Sequence, residues 1–295
     1  MRAAWIALLL AACQAAPSPV TIAPLGDAAA LERLRATFVR ANPGYDFEWL
    51  PAATGLAAAT QPRVVFVQEG SCADAAVAAA RSALSVGDIV LLRPQEALEL
   101  SEPVGLLVFR TPDAFPGRLP AFIRPDWDPG ITDTPGGCAT ETGAYRRILL
   151  TWLAEKGPYV YHGLNAHRVR IWDSFTHYHP RAGGFDELYL VQAAPAGAQL
   201  LAGDHVARIE SPEQVRADEA MELLRPCPLR AGDLVYIRRG VAHRGLGGVL
   251  AQVITVPGFR PGAEIGLDHH LRAIHERLQL PVPYHAEASA APVIR

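Results

Sequence analysis

The segment that most constrains the fold is residues 177 to 191, where His-Tyr-His is followed by a short loop and a largely apolar run. In an extended strand, residues two apart point to the same face, so His177 and His179 present both imidazoles to one side. Gly183-Gly184 favours a chain reversal, after which Asp186 to Val191 is predicted to return as a neighbouring strand. The pattern predicts a β-hairpin that sets a carboxylate opposite two imidazoles.

This arrangement is typical of a metal site. Two or three histidines with one carboxylate bind Fe, Mn, Zn or Ni, and they leave coordination positions open for water or substrate. We therefore predict that His177, His179 and Glu187 hold one divalent transition metal. Asp186 stays an alternative to Glu187, because the residues that share its face of the strand are as apolar as those on the other face.

A second segment, Gly232 to His243, completes a resemblance to the cupins. Cupins have a first motif of His-x-His followed by Glu, and a second motif of G-x5-P-x-G-x2-H. The second motif matches in every spacing, although Arg238 stands at the proline position. The first motif differs more, since seven residues separate His179 from Glu187 where the family usually has fewer. The resemblance implies a jelly-roll barrel with a 3-His/1-Glu metal site in which His243 is the fourth ligand.

A fainter copy of the second motif lies earlier in the chain. Leu84 to Pro94 runs parallel to Leu229 to Arg239, and each is a Gly-Asp turn followed by an apolar strand. At the position that matches His243 the early copy has Leu98, and no His-x-His precedes it. We therefore predict an all-β chain with two cupin-like jelly-roll β-barrels, a few short peripheral helices, and a metal site in the second barrel only.

These patterns also predict the boundaries of the domains and of several elements. Asp27 is the expected N-cap of a helix that ends at Ala41, and Asp268 to Leu278 is a second predicted helix. Residues 73 to 84 are ambiguous, because their alanines favour a helix whereas the repeat requires a strand before Gly87. The predicted divisions are a signal and tether (1–20), a first barrel (21–112), a linker (113–140), a metal-binding barrel (141–262) and a C-terminal helix and tail (263–295).

The N-terminus has the pattern of an export signal. Arg2 precedes an apolar stretch far shorter than the ~20 residues of a membrane span. The stretch ends in Leu10-Ala11-Ala12-Cys13, which resembles the lipobox of bacterial lipoproteins. Cys13 is therefore the predicted lipidation site of an exported, periplasmic protein held on a bacterial membrane by its lipid anchor alone. An ordinary secretory signal cleaved after Ala16 is the alternative, and a disulfide between Cys72 and Cys138 stays open.

The balance of charged residues limits the classes of molecule that the protein is expected to bind. The chain has 30 acidic and 27 basic residues and a net charge of −3, so it has no electrostatic footprint for nucleic acid. An open metal site serves a dioxygenase with Fe, or a sugar isomerase with Zn, Mn or Ni, and we expect a small-molecule substrate. The alternative is a non-catalytic, tethered protein that binds a small molecule or carbohydrate.

The sequence offers few further candidates for the site. Tyr189 and Gln252 are predicted to be polar groups of the pocket with a catalytic role, and packing or surface positions are the alternative. The metal's identity, the substrate and the oligomeric state do not follow from the sequence. Six of the seven histidines outside the motifs are interpreted as surface or locally bonded residues: His162, His167, His205, His269, His270 and His275.

Overall fold

A computed structural model describes residues 18–136, 145–287 and 291–295. In the first half the elements are β1 (Thr21–Pro24), α1 (Ala28–Ala41), β2 (Asp46–Leu56), β3 (Arg63–Glu69), β4 (Ser71–Val77), β5 (Ala80–Ser85), β6 (Ile89–Leu92), β7 (Leu98–Arg110) and β8 (Phe122–Ile123). In the second half they are β9 (Arg146–Leu150), β10 (Asn165–Asp173), β11 (His177–Tyr178), β12 (Asp186–Ala193), β13 (Gln199–Gly203), α2 (Val206–Ile209), a 3-10 helix (Pro212–Gln214), α3 (Ala217–Ala220), β14 (Arg225–Pro228), β15 (Asp233–Ile237), β16 (Ala242–Val256), β17 (Ile265–Gly266) and α4 (Asp268–Leu278).

The strands form two sheets whose strands pair antiparallel, which confirms the predicted all-β jelly-roll class. The first sheet contains β2 to β8, with β3 between β6 and β7. The second contains β9 to β17, with β12 between β15 and β16. The N-terminal strand β1 pairs with β15, so it adds to the second sheet although it precedes the first in the chain. The domain divisions drawn from the sequence stay a prediction.

The two sheets share one pairing register, which supports the internal repeat. In the first sheet Val65 of β3 lies opposite Val90 of β6 and Val108 of β7. In the second sheet Tyr189 of β12 lies opposite Val235 of β15 and Val253 of β16. The Gly-Asp turns therefore lead into equivalent strands of two similar sheets. By the same register, Arg63 stands in the first sheet where Glu187 stands in the second.

Side chains on both faces of the central strands are buried, because each sheet packs on two sides. One face of β12 joins a core that α1 and both sheets share, with Phe66 and Phe109 from the first sheet and Leu188 from the second. The other face of β12, including Tyr189 and Val191, packs with Val253 of β16 in the interior of the second barrel. This two-sided burial explains why the alternation of apolar and polar residues is weak in these strands.

The local predictions have mixed outcomes. Helix α1 begins where the cap predicts, since an Asp27 carboxylate oxygen accepts a hydrogen bond from the Ala30 amide at 2.9 Å. Helix α4 has the predicted bounds. The alanine-rich residues 73 to 84 form most of the β4–β5 hairpin, so tertiary pairing overrides their helix propensity. No helix within the described ranges is long and apolar enough to cross a membrane.

The cysteine predictions fall partly outside the described residues. Both Cys13 and Cys138 lie outside them. Cys72 is a buried free thiol, and its sulfur is 3.2 Å from the carbonyl oxygen of Asp74. Cys227 is also a buried free thiol, on β14.

Candidate metal centre

Four side chains converge at one end of the second barrel, and they are the four that the motifs predict: His177, His179, Glu187 and His243. All four are at most 3% exposed. Each offers one ligand atom, and these atoms all lie within 4.8 Å of one another. Among the described residues this is the only group of at least three histidine, cysteine or acidic side chains with such a geometry.

The second sheet brings these residues together through long-range pairing. His177 on β11 pairs directly with His243 on β16, and Glu187 on β12 pairs with Thr255 farther along β16. The turn before β16 is tied to the first motif, because the Gly240 amide donates a hydrogen bond to the His179 carbonyl at 2.7 Å. Gly240 has a φ of 84°, in the left-handed region that favours glycine.

Backbone hydrogen bonds set the tautomers of two of the histidines. The Nδ1 atom of His177 is 3.2 Å from the Phe175 carbonyl oxygen, and that of His243 is 3.1 Å from the Val241 carbonyl oxygen. A carbonyl oxygen only accepts, so Nδ1 carries the proton in each neutral ring and the Nε2 lone pair faces the cluster. Burial lowers the pKa of His177 well below its ordinary value, so this ring stays neutral as metal ligation requires.

The donor atoms of the cluster lack hydrogen-bond partners. Four atoms are buried without a hydrogen-bond partner: the Nε2 atoms of His177, His179 and His243 and the Oε2 atom of Glu187. The Glu187 Oε2 and His243 Nε2 atoms approach to 2.9 Å without hydrogen-bond alignment. Each buried polar atom left unpaired costs about 1–3 kcal/mol. One cation would satisfy all four, so these residues fit a divalent transition metal.

The structure distinguishes Glu187 from Asp186 as the carboxylate ligand. Asp186 points to the opposite face of β12, where it accepts hydrogen bonds from the Asn42 amide at 2.7 Å and the Tyr236 hydroxyl at 2.6 Å. The Arg239 guanidinium also donates to it, at 2.8 Å. Burial alone would raise the pKa of Asp186, but these hydrogen bonds outweigh burial and hold the pKa below its usual value. Asp186 therefore links α1 to the second sheet, and Glu187 faces the metal centre.

A cavity of about 530 Å³ opens beside the cluster, with Glu187 in its wall. Glu264 also lines it, and its Oε1 atom is 3.5 Å from the His177 Nε2 atom. Burial, followed by repulsion from Glu187, raises the pKa of Glu264 to about 7. Sequence reasoning missed Glu264, because it reaches the site only through the pairing of Gly266 on β17 with His177.

The other candidates lie in different places from those predicted. Tyr189 is fully buried two residues beyond Glu187, where it packs in the barrel interior. Gln252 does not lie at the site: it points out of the barrel, and its amide donates to the Gly87 carbonyl at 2.8 Å. The interpretation of His167 as a surface or locally bonded residue is wrong. His167 lines the cavity, its Nε2 atom is buried without a hydrogen-bond partner, and burial lowers its pKa.

Comparisons with known proteins find similarity in overall structure. No protein-family profile matches the chain, and no curated protein matches it in sequence. A point mutant of Bacillus subtilis oxalate decarboxylase is 12% identical, with 80% of this chain and 75% of that chain covered and a TM-score of 0.48. Salicylate 1,2-dioxygenase from Pseudaminobacter salicylatoxidans is 13% identical, with 90% of this chain and 88% of that chain covered and a TM-score of 0.46. Procruciferin, an 11S globulin from Brassica napus, is 11% identical, with 83% of this chain and 85% of that chain covered and a TM-score of 0.46.

The chain's own geometry defines its class. It has two jelly-roll sheets in one repeated register, and the second carries the cluster of three histidines and one glutamate. Three of the four lie on β11, β12 and β16, and His179 lies just after β11. The resemblance to the cupins is therefore confirmed in the fold and in the set of candidate ligands.

Proposed function

We propose that this protein is a metal-dependent enzyme that acts on a small molecule, with chemistry of the dioxygenase or isomerase type. The observation that carries this proposal is the cluster of four unpaired donor atoms, one of whose residues, Glu187, also lines the 530 Å³ cavity. A cavity of this size suits a small organic molecule. When bound, a divalent transition metal would supply Lewis-acid or redox chemistry at that wall.

The residues of the chain prepare the cavity for such a reaction. Trp152 stacks on Phe259 with ring centroids 3.9 Å apart, and Phe185 lies 3.9 Å from the ring of His179. The rings of Trp152, Phe185 and Phe259 line the cavity and limit the access of water to the candidate metal ligands. Glu264 is the carboxyl beside the cluster that is not part of it, so it is placed to exchange a proton with a bound molecule.

The test is turnover by protein loaded with each of four metals: Fe(II), Mn(II), Zn(II) and Ni(II). Oxygen uptake with small organic substrates tests the dioxygenase reaction, and interconversion of aldose and ketose sugars tests the isomerase reaction. We expect one metal to support turnover that is lost in His179→Ala. Metal binding without turnover in either assay would contradict the enzymatic proposal and favour a tethered small-molecule or carbohydrate-binding protein.

We further propose that the enzyme is exported and anchored to a bacterial membrane through lipidated Cys13. This proposal rests on the pattern of residues 2 to 13. A small molecule that reaches the periplasm is then the expected substrate.

A further inference from the structure

The cavity beside the metal centre carries a surplus of positive charge. Among the described residues, three cationic side chains line it, Arg146, Lys156 and Arg295, against the two carboxylates of Glu187 and Glu264. A divalent metal at the cluster would add two further positive charges. The charge that the chain itself places around the cavity therefore favours an anionic occupant.

Arg295 lies close to one of the candidate metal ligands, and Arg146 lies on another wall of the cavity. The guanidinium of Arg295 lies 4.6 Å from the ring centroid of Phe175, and that ring stacks on His177 at 4.5 Å. Arg146 begins β9, whose residues pair with β10 beside His167. Both guanidinium groups line the same cavity as Glu264, whose Oε1 atom is 3.5 Å from the His177 Nε2 atom.

The wall of the same cavity includes two buried polar atoms that have no hydrogen-bond partner. Thr255 is 5% exposed, and its hydroxyl has no hydrogen-bond partner. The buried Nε2 atom of His167 is also unpaired. Both residues line the cavity, on β16 and β10. Buried polar atoms in folded proteins are normally satisfied, so these two are positions at which a ligand would form hydrogen bonds.

The remaining wall is apolar. It contains the stacked rings of Trp152 and Phe259 together with Phe185, Ile148 and Leu150. Such a wall favours an apolar or aromatic body, whereas the arginines favour an oxyanion whose two oxygens accept hydrogen bonds from one guanidinium.

Combining these features, we propose that the cavity binds a small organic oxyanion, with its apolar body against the aromatic wall and its charged group paired by Arg146 and Arg295. This inference deepens the proposed function and rests on it, because the oxyanion would be the substrate or a substrate analogue. Carboxylates and phosphate esters both carry an anionic oxygen group of this kind, and the experiment distinguishes between these two classes of ligand.

The test is calorimetric titration of the full chain, metal-loaded and metal-free, with benzoate, phenyl phosphate and neutral benzamide. We expect at least one anion to bind at least ~10-fold more tightly than benzamide, as one lost charged hydrogen bond predicts. The preferred anion identifies the oxyanion class. The variants Arg146→Gln and Arg295→Gln should each weaken its binding by about tenfold, whereas Arg147→Gln should not. Arg147 is the matched control, since it is next on the same strand but does not line the cavity.

Circular dichroism spectra establish that each variant is folded, and Arg295→Gln serves as the independent test if Arg146→Gln is not. Equal affinity for benzamide and both anions, or anion binding unchanged in both cavity variants, would overturn the inference. Metal content is measured on the same samples. Absence of metal in the wild type would instead overturn the proposed function, so the two failures are distinguishable.

Discussion

Leu98 occupies in the first sheet the position that His243 occupies in the second. Each lies on the long strand of its sheet, the same distance before the residue pair that fixes the shared register, Val108 opposite Val65 and Val253 opposite Tyr189. Leu98 packs in the interior of the first barrel, whereas His243 belongs to the cluster of four candidate metal ligands. The two halves of the chain thus have one architecture, and only the second places metal-binding residue types at these positions.

Replacing Asp186 by Ala should destabilise the fold. Asp186 is 1% exposed, and its removal leaves Arg239, Asn42 and Tyr236 without their shared acceptor. Breaking a buried charged network typically costs about 3 kcal/mol or more. Urea denaturation should show this loss in Asp186→Ala. The control Asp74→Ala removes an exposed partner of Arg81 and should leave the free energy of unfolding close to that of the wild type. Equal stability of the two variants would contradict the role of Asp186.

Gln252 should contribute to stability and not to the site. Its amide joins β16 to the Gly87 turn of the first sheet, so Gln252→Ala should lower the free energy of unfolding by about 1–2 kcal/mol. Metal content and turnover should be unchanged. Gln214→Ala, at an exposed glutamine, is the control and should match the wild type in all three measurements. A fall in turnover without a loss of stability would return Gln252 to the site.

Glu264→Gln should lower turnover by about 100-fold, the scale of a lost acid–base group, while the metal stays bound. The amide keeps the shape of the side chain but does not exchange a proton in the same way. Elemental analysis separates this outcome from a loss of metal. The control Glu276→Gln, on the exposed face of α4, should keep full turnover. Full turnover in Glu264→Gln would exclude a proton-transfer role.

Cys13→Ser should move the protein from the membrane fraction to the soluble fraction, or block its processing, because serine does not accept the thioether-linked lipid. Cell fractionation followed by immunoblotting measures the change. Cys72→Ser removes a buried thiol of β4, outside the predicted signal and tether, and should fractionate as the wild type. If Cys13→Ser fractionates unchanged, the lipid anchor is wrong.

The residues that could be predicted from the sequence are those whose spacing is local. The His-x-His pair and the turn before His243 fix three ligands because strand alternation and turn geometry act over a few residues. The same alternation did not separate Glu187 from Asp186, since β12 is buried on both faces. That choice depends on Asn42 and Tyr236, which are distant in sequence.

The other residues of the cavity could not be predicted from the sequence either, because they too meet through contacts between residues distant in sequence. Glu264 arrives through β17, and Arg295 through backbone hydrogen bonds between residues 295 and 264. His167 has no motif around it, and only the pairing of β10 with β9 and β16 turns it into the cavity wall. Contacts of this kind depend on the closed sheet and have no local signature.

The most direct test of the central claim is the metal content of the purified protein and of the double variant His177→Ala/His243→Ala. The wild type should contain about one transition-metal ion per chain, because the four donor atoms are already buried together without hydrogen-bond partners. The double variant should keep its circular dichroism spectrum and contain almost no metal, whereas the control His162→Ala, at an exposed histidine, should match the wild type. A folded double variant that keeps a full equivalent of metal would show that these residues are not the ligands.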